Sequence, residues 1–507
     1  MSAVAPSISS TKLAVDRTDR VIRIVMFAGS VVAGIALVCY LGLIVWAHNE
    51  ASQPESIVAA ESIGLAHDGT LYRDLRQYPY TISAYTPVFY CLEAALSRAG
   101  VPVLQAGRLI SFAAMLGIIF LCGQLVLLFT HDRQYAWMAS LLVGSTALIS
   151  VWGTTAQVDT LALFWTIAAF VQFSRYYVRG ESTVVWAALL AIAGFFTKQT
   201  MIACPAAIFV LLWFRNRKVA CVFAGCFSAG VAIVGVLVNV ALGGRFLENT
   251  VFANLNPLSM SKLLQHLQVM AAGWGALLII ILLGVNRALK GQVTAVFTYL
   301  AFALTLLFAT APKIGSDSNY QLESIVLAAV CACVCLHAME FFPLLRMGSK
   351  HWITLLPIPL GIHMLINFRM TEANLVERAA RELAFRSQIT ALRPHFDETR
   401  RVISADVNAA LQLGGRIEVD PFIYRLLVRG GVVDPEPLRR DLANGAFGTV
   451  LLYEDVSSSK GEVNAEIPSL PTLQISEVRQ HYTLVAHVPG PYLDGVYVYK
   501  PKDSHLK

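Results

Sequence analysis

LISFAAMLGIIFLCGQLVLLFT, residues 109–130, contains no charged side chain. A helix of this length crosses the roughly 30 Å hydrocarbon core of a bilayer. Charge-free runs of similar length recur at 24–47, 134–158, 219–244, 267–286, 291–312 and 352–368. Shorter ones lie at 160–174, 182–197, 199–214 and 324–339. Together they predict about eleven membrane crossings. The first run is too long for a removed signal peptide and lacks a small-residue cleavage site, so it reads as a retained span.

Composition agrees with this pattern. Of 507 residues, 56% are hydrophobic and 14% charged, with a formal net charge of +6. Ordinary soluble domains carry roughly 25% charged residues, which argues against a simple soluble enzyme. So apolar a chain also has ample surface to bury, which argues against disorder. The charge is uneven: residues 372–507 hold 16 basic and 18 acidic side chains, leaving 23 and 15 for the rest. The expected architecture is a polytopic α-helical membrane part, residues 1–370, at +8, and a small soluble α/β tail, residues 371–507, at −2.

The short loops sort by sign. Lys12, Arg17, Arg20 and Arg23 precede the first span. Every second loop then carries Arg133; Arg175 and Arg179; Arg215, Arg217 and Lys218; Arg287 and Lys290; Arg346 and Lys350. With the N-terminus cytoplasmic, this is the positive-inside alternation. The segment 48–108, Asp159, Lys198, the loops 245–266 and 313–323 and the tail then all face outward. The nine cysteines lie in or beside apolar segments and none is in the tail. Cys331, Cys333 and Cys335, spaced by two on an apolar helix, point to different faces and read as small core residues rather than metal ligands.

Residues 48–108 are too patterned for a plain connector. SIVAAESIGLA (56–66) reads as a short amphipathic helix, followed by HDGTLYRDL, the aromatic and proline-rich QYPYTISAYTP, and a second apolar helix, VFYCLEAALSRAG. Tyr and Trp favour the headgroup level, and amphipathic helices lie in that plane. The segment is expected to rest on the outer surface and frame a cavity there. Its acids are Glu50, Glu55, Glu61, Asp68, Asp74 and Glu93, any one of which has solvated surface charge as the plain alternative.

The order Glu55, short helix, Gly69-Thr-Leu-Tyr-Arg-Asp74, Tyr85-Thr-Pro87-Val-Phe-Tyr90 and Gly107-Arg108-Leu-Ile-Ser111 resembles the glycosyltransferase-C superfamily over roughly residues 20–370. These are polytopic enzymes that use polyprenyl-phosphate sugars, and the bacterial aminoarabinose and protein O-mannosyl transferases look most similar. The resemblance implies a base just after the first span: Glu55 holds that place, with Asp74 as its rival. It implies a helper role in acceptor or sugar binding for Asp159, whose plain alternative is a charge favoured by a helix N-terminus. It implies that Lys198, at the tip of a hairpin, holds the carrier phosphate as a point charge; snorkelling is the alternative. Lys313, Asn319, Tyr320 and Glu323, in an Asn-Tyr-x-x-Glu pattern, are expected to meet phosphate and sugar hydroxyls, or else form a turn and cap. Arg73 and Arg76 are further phosphate candidates, and Tyr85 is expected to contact substrate. Glu55, Asp159 and Lys198 are expected to line one cavity.

Such a transfer needs cations near the leaving phosphate and a carboxylate that takes the acceptor hydroxyl's proton. One base suffices for inversion, unlike the paired carboxyl groups of glycoside hydrolysis. No His/Cys cluster has metal-ligand spacing; a divalent cation held by acids alone is compatible with the sequence. The expected partners are a polyprenyl-phosphate sugar, a glycan, lipid or protein acceptor, and the bilayer, with no nucleic acid. The expected place is a bacterial inner membrane, with the tail periplasmic or extracellular.

In the tail, a charged helix (EANLVERAARELAFRSQITALR) leads into short β-branched runs alternating with amphipathic helices. Asp406, Asp420 and Tyr424 there read as turn and capping residues, and the tail is expected to cover the outer cavity or help choose the acceptor. A flippase for lipid-linked saccharides competes with the enzyme reading, but it calls for internal repeats and midplane charges. A sensor leaves eleven crossings and the patterned first loop without purpose.

Overall fold

The structure, a computed structural model, describes residues 43–254, 258–289, 293–341, 357–397, 399–415, 417–457 and 469–502. Residues 1–42, which hold most of the first predicted span and its basic flank, lie outside these, as do Arg346 and Lys350. The segment 48–108 forms two helices, α1 (Gln53–His67) and α2 (Val88–Arg98). A bundle follows: α3 (Val103–Thr130), α4 (Arg133–Gly144), α5 (Ala147–Trp152), α6 (Val158–Arg179), α7 (Val184–Thr197), α8 (Ala203–Arg215) and α9 (Arg217–Ala241). It continues through α10 (Arg245–Thr250), α11 (Met260–Ala288), α12 (Thr294–Thr310), α13 (Leu322–Ala338) and α14 (Pro357–Leu392). The helices spanning 103–130, 217–241 and 260–288, and the 318–338 segment containing α13, are long and apolar enough to cross a membrane; α7, α8 and α12 are shorter apolar helices.

Local chemistry sets the helix ends. Asp132 caps α4 by accepting from Gln134 N–H, and Asn216 caps α9 by accepting from Lys218 and Val219. Gly180 ends α6 in the left-handed region at φ 74°, a conformation glycine adopts without a Cβ penalty.

Two expectations change. The run 134–158 is not one helix: it breaks between α4 and α5 and unwinds again at 153–157. The hydroxyls of Ser145 and Thr146 both turn back onto the Leu142 carbonyl, the local competition that interrupts helices. The freed backbone groups find distant partners: Asn367 Oδ1 accepts from Ala147 N–H, and the Arg378 guanidinium donates to the Val151 and Thr154 carbonyls. Irregular backbone survives inside a membrane bundle where protein partners satisfy it. The second change is the boundary at 370, which falls inside α14, a single helix of 36 residues, about 54 Å long at 1.5 Å per residue.

Residues 401–501 build a five-stranded sheet from β1 (Arg401–Ser404), β2 (Ile417–Val419), β3 (Phe447–Leu452), β4 (Tyr482–Val488) and β5 (Val496–Pro501), ordered β2-β1-β3-β5-β4. β1 pairs in parallel with β2 and β3, and β5 runs antiparallel between β3 and β4. Helices α15 (Val407–Gln412), α16 (Pro421–Arg429), α17 (Glu436–Ala443) and α18 (Thr472–His481) connect the strands. The segment 48–108 covers the β2 edge: Tyr80 N–H donates to the Glu418 carbonyl at 2.8 Å, and Asp420 N–H to the Tyr80 carbonyl at 3.3 Å. Leu75, Tyr80 and Ile82 share one apolar core with Ile403, Val419 and Tyr424. Residues 75–82 and the tail therefore share one core.

The loop 245–266 joins the segment 48–108 through Arg76–Glu248, 2.9 Å, and Asn249. Arg215 lies over the Tyr177 ring and Arg217 over that of Trp213, and Tyr135 at the start of α4 meets His337 at the end of α13. Cys331, Cys333 and Cys335 are fully buried in the bundle core.

Asp406 and Asp420 cap α15 and α16 by accepting backbone N–H bonds from Ala409, and from Phe422 and Ile423. Burial pushes each carboxyl up to about 6, with those bonds opposing. An unfolded aspartate sits near 3.9. Between about pH 4 and 6 the folded tail thus binds protons that the unfolded chain does not, and its stability falls as pH rises across that window. Asp406→Asn keeps a capping acceptor and removes one such group. Wild type is expected to gain roughly 1 kcal/mol over this variant on going from pH 7 to 5, read by thermal unfolding. Parallel pH profiles would reject the assignment.

Candidate active site

Helix α6 starts directly after the unwound 153–157 stretch, which puts Asp159 in its first turn, where the helix dipole favours an anion. Helix α7 runs back alongside and stops at Lys198, whose residue caps it in extended backbone. The hairpin is as expected, but its lysine folds inward. Lys198 Nζ donates to Asp159 Oδ1, with the lysine 4% and the aspartate 0% exposed. Asp159 Oδ2 is buried with no hydrogen-bond partner. Burial alone would pull the lysine down; Asp159 chiefly, with Tyr320 and Glu323, more than offsets it, so the ammonium stays charged.

Above this pair the loop 313–323 folds over. Lys198 Nζ lies 4.6 Å from the centre of the Tyr320 ring, within cation–π range. A small recess of about 30 Å³ opens here, lined by Lys198, Thr200 and Met201 on one side and Asn319, Tyr320 and Glu323 on the other, together with α12 side chains. Tyr299 donates to Glu323 Oε1 at 2.5 Å, and Asn319 Oδ1 is buried without a partner. Tyr85 is also close: burial first, then Asp159 and Tyr320, push its phenol well above its ordinary value. Burial and the nearby Lys198 ammonium lower Lys313. Seven expected site residues, Tyr85, Asp159, Lys198, Lys313, Asn319, Tyr320 and Glu323, thus gather in one place.

Three expected residues do not. Glu55 is fully buried and accepts four bonds, from Arg108 Nε (2.8 Å) and Nη2 (2.9 Å) and from the backbone of Ala156 and Ala51 (2.6 Å each). Burial pushes its carboxyl up, yet Arg108 and these bonds outweigh it and hold it below its ordinary value. Neither Glu55 nor Asp159 lines the recess; both oxygens of Glu55 are occupied, whereas Asp159 Oδ2 has no partner. Asp74 is partly exposed, accepts from Arg76 N–H at 3.0 Å and lies 3.7 Å from the Arg76 guanidinium. Arg73 belongs to a separate hollow beside α1.

Other residues hold the site without having stood out in sequence. His266 bonds Ser316 Oγ at 3.0 Å and Gln321 at 3.1 Å, Trp274 donates to Gln321 and Trp152 to Ser318, which pins the 313–323 loop. A Cβ at Gly107 would meet Glu93 Oε1 at 2.2 Å and Ala156 Cβ at 2.5 Å, so this glycine lets α3 approach the unwound stretch. Glu50 is buried with Oε1 unpartnered; burial, then nearby Asp406, push its carboxyl well above its ordinary value. A buried polar cluster with an unusual free acceptor is what the sequence position alone does not reveal. Among the described residues, no three His, Cys, Asp or Glu side chains converge as metal ligands.

The helical bundle with a mixed-sheet tail packed on residues 53–98 is a fold found in solved structures of other proteins. Residues 25–218 match the family model described as dolichyl-phosphate-mannose-protein mannosyltransferase. ArnT from Cupriavidus metallidurans in the apo state is similar over 94% of this chain and 99% of its own, at 13% identity and TM-score 0.66. Its undecaprenyl phosphate-bound structure gives 11% identity and TM-score 0.64 over 94% and 99%. The Archaeoglobus fulgidus oligosaccharyltransferase in the apo form gives 12% and 0.55 over 93% of this chain and 74% of that one. No curated protein sequence gives a significant match.

Proposed function

We propose that this chain is an inverting glycosyltransferase that moves a sugar from a polyprenyl phosphate to a glycan, lipid or protein acceptor. We place the reaction on the outer face of a bacterial inner membrane. The observation that carries this reading is the buried Lys198 ammonium facing a polar recess, inside a fold shared with a protein that binds undecaprenyl phosphate. In this scheme the acceptor oxygen attacks the anomeric carbon, the bond from that carbon to the phosphate oxygen breaks, and the polyprenyl phosphate leaves as an anion. Lys198 and Lys313 offset the charge that develops on it. Asp159, through its unpartnered Oδ2, takes the acceptor's proton. Asn319, Tyr320, Glu323 and Tyr85 hold sugar hydroxyls.

The choice of Asp159 over Glu55 rests on the occupied oxygens of Glu55, and over Asp74 on its peripheral ion pair. The tail's packing on the outward segment supports its sharing that face. The test is direct: full-length protein in nanodiscs is given labelled polyprenyl-phosphate sugars and a bacterial envelope extract, with and without EDTA. Labelled product is expected. No transfer from any donor sinks the enzyme reading, and loss of transfer on adding EDTA adds a divalent cation to the site.

A further inference from the structure

The unwound stretch 153–157 keeps only short-range turn bonds of its own, such as Thr154 N–H to the Val151 carbonyl and Gln157 N–H to that of Thr155. What fixes it reaches in from four other parts of the chain. Glu55 accepts from Ala156 N–H at 2.6 Å, and Ser111 on α3 donates to the Gln157 carbonyl at 3.2 Å. Just before the stretch, Trp152 donates to Ser318 Oγ at 3.1 Å, which ties it to the loop 313–323. The fourth partner is Arg378 on α14, 8% exposed. Its Nη1 donates to the Thr154 carbonyl at 3.5 Å and hydroxyl at 3.3 Å. Its Nη2 donates to the Val151 carbonyl at 3.3 Å and the Thr155 hydroxyl at 3.2 Å. Carbonyls freed by a break between helices are costly to bury unpaired. A planar guanidinium meets several such acceptors at once, which a lysine ammonium does not.

We propose that Arg378 is a positioning residue for sugar transfer: it holds the unwound stretch so that Asp159 and the loop 313–323 stand in working relation. The proposal rests on the transferase reading. Both sides of the site hang from this stretch. Asp159 follows Thr155 by four residues, in the first turn of α6, and Ser318, bonded to Trp152, stands two residues before Tyr320. Lys198 joins the two sides, paired with Asp159 and lying over the Tyr320 ring. Arg378 is not among the residues that line the recess, so its effect there passes through the backbone it holds. The next turn of α14 carries Glu382, which accepts from His48 and Asn49 N–H at 2.8 Å. One face of the helix that leads into the tail thus grips the chain just before Glu55 and the stretch that Glu55 bonds. A misplacement of about 1 Å at a reacting group costs on the order of a hundredfold in rate. The residues that line the recess keep their own partners, so the loss belongs in kcat and not in donor affinity.

Two measurements on full-length protein in nanodiscs test this. The first needs no substrate: hydrogen exchange followed by mass spectrometry. Arg378→Met is expected to speed exchange across residues 153–160 about tenfold or more, with the tail sheet within about twofold of wild type. In the second, kcat per folded protein is expected to fall about tenfold or more while donor KM stays within about twofold. Arg378→Lys is expected to lie between wild type and Arg378→Met in both readouts. Unchanged exchange at 153–160 overturns the proposal. So does a lower melting temperature with the kcat of the folded protein unchanged, which makes Arg378 structural only. If Arg378→Met fails to fold, Arg378→Lys decides by the same readouts. Wild type that transfers no sugar fails the transferase reading, and exchange alone then shows whether Arg378 fixes the stretch. An active wild type with unaltered variants fails this proposal only.

Discussion

Lys198→Met is expected to lower sugar transfer by about a hundredfold or more, with the loss in kcat rather than in donor KM. Removing one preorganised electrostatic donor from a site where charge develops costs on the order of 10²–10³ in rate. Lys198 is the cation best placed for this, because it is buried, held by Asp159 and facing the recess. Its removal also strands a buried carboxylate, and an unpaired buried charge destabilises by several kcal/mol. The comparison therefore includes Asp159→Asn, which leaves no buried anion, and the double variant, which leaves neither charge. All three are expected to be inactive, while the double variant unfolds closer to wild type than Lys198→Met does. Full transfer by a folded Lys198→Met protein would remove the lysine from the mechanism. Full transfer by Asp159→Asn would return the role of base to Glu55 or Asp74.

The second large effect concerns stability. Arg108→Ala is expected to destabilise the protein by about 3–5 kcal/mol, the usual cost of removing one partner from a buried ion pair. Arg108 is 1% exposed and uses its whole guanidinium: two bonds reach Glu55 and three reach the carbonyls of Ile44, Ala47 and Asn49. Lysine offers one point charge in place of that planar fork, so Arg108→Lys is expected to rescue little. Combining Arg108→Met with Glu55→Met leaves no buried charge and is expected to recover part of the loss, read by thermal unfolding in nanodiscs. If Arg108→Ala melts within 1 kcal/mol of wild type, the pair is not what fixes the segment after the first span.

Which parts of this were legible in the sequence follows from range. Asp159 and Lys198 stand out because a charge between apolar runs needs an escape, and their shared side follows from loop charges alone. Their direct pairing depends on how α6 and α7 pack, which no local pattern encodes. Glu55 shows the converse: its position after the first span invites a catalytic role, yet Arg108, 53 positions later, takes up its oxygens. The break after Gly144 was hidden because Ser145 and Thr146 are uncharged, and apolar counting passes over hydroxyls that bond their own backbone. The 370 boundary was read from a change in composition, which a helix ignores provided its backbone bonds continue through it. The capping roles of Asp406 and Asp420 were readable because caps act within three residues.

The grip on residues 48–50 also sets an order of events during synthesis. Glu382 accepts from the backbone N–H groups of His48 and Asn49, Asn408 donates to the His48 carbonyl, and Tyr492 donates to that of Glu50. These partners lie 334, 333, 360 and 442 positions downstream. At about 5–20 residues per second, a ribosome needs roughly 20–90 s to travel from Glu50 to Tyr492. Residues 48–50 are thus among the last to be fully bonded. Ribosomes that stall before codon 492 leave them without their final clasp, Tyr492 in the turn between β4 and β5.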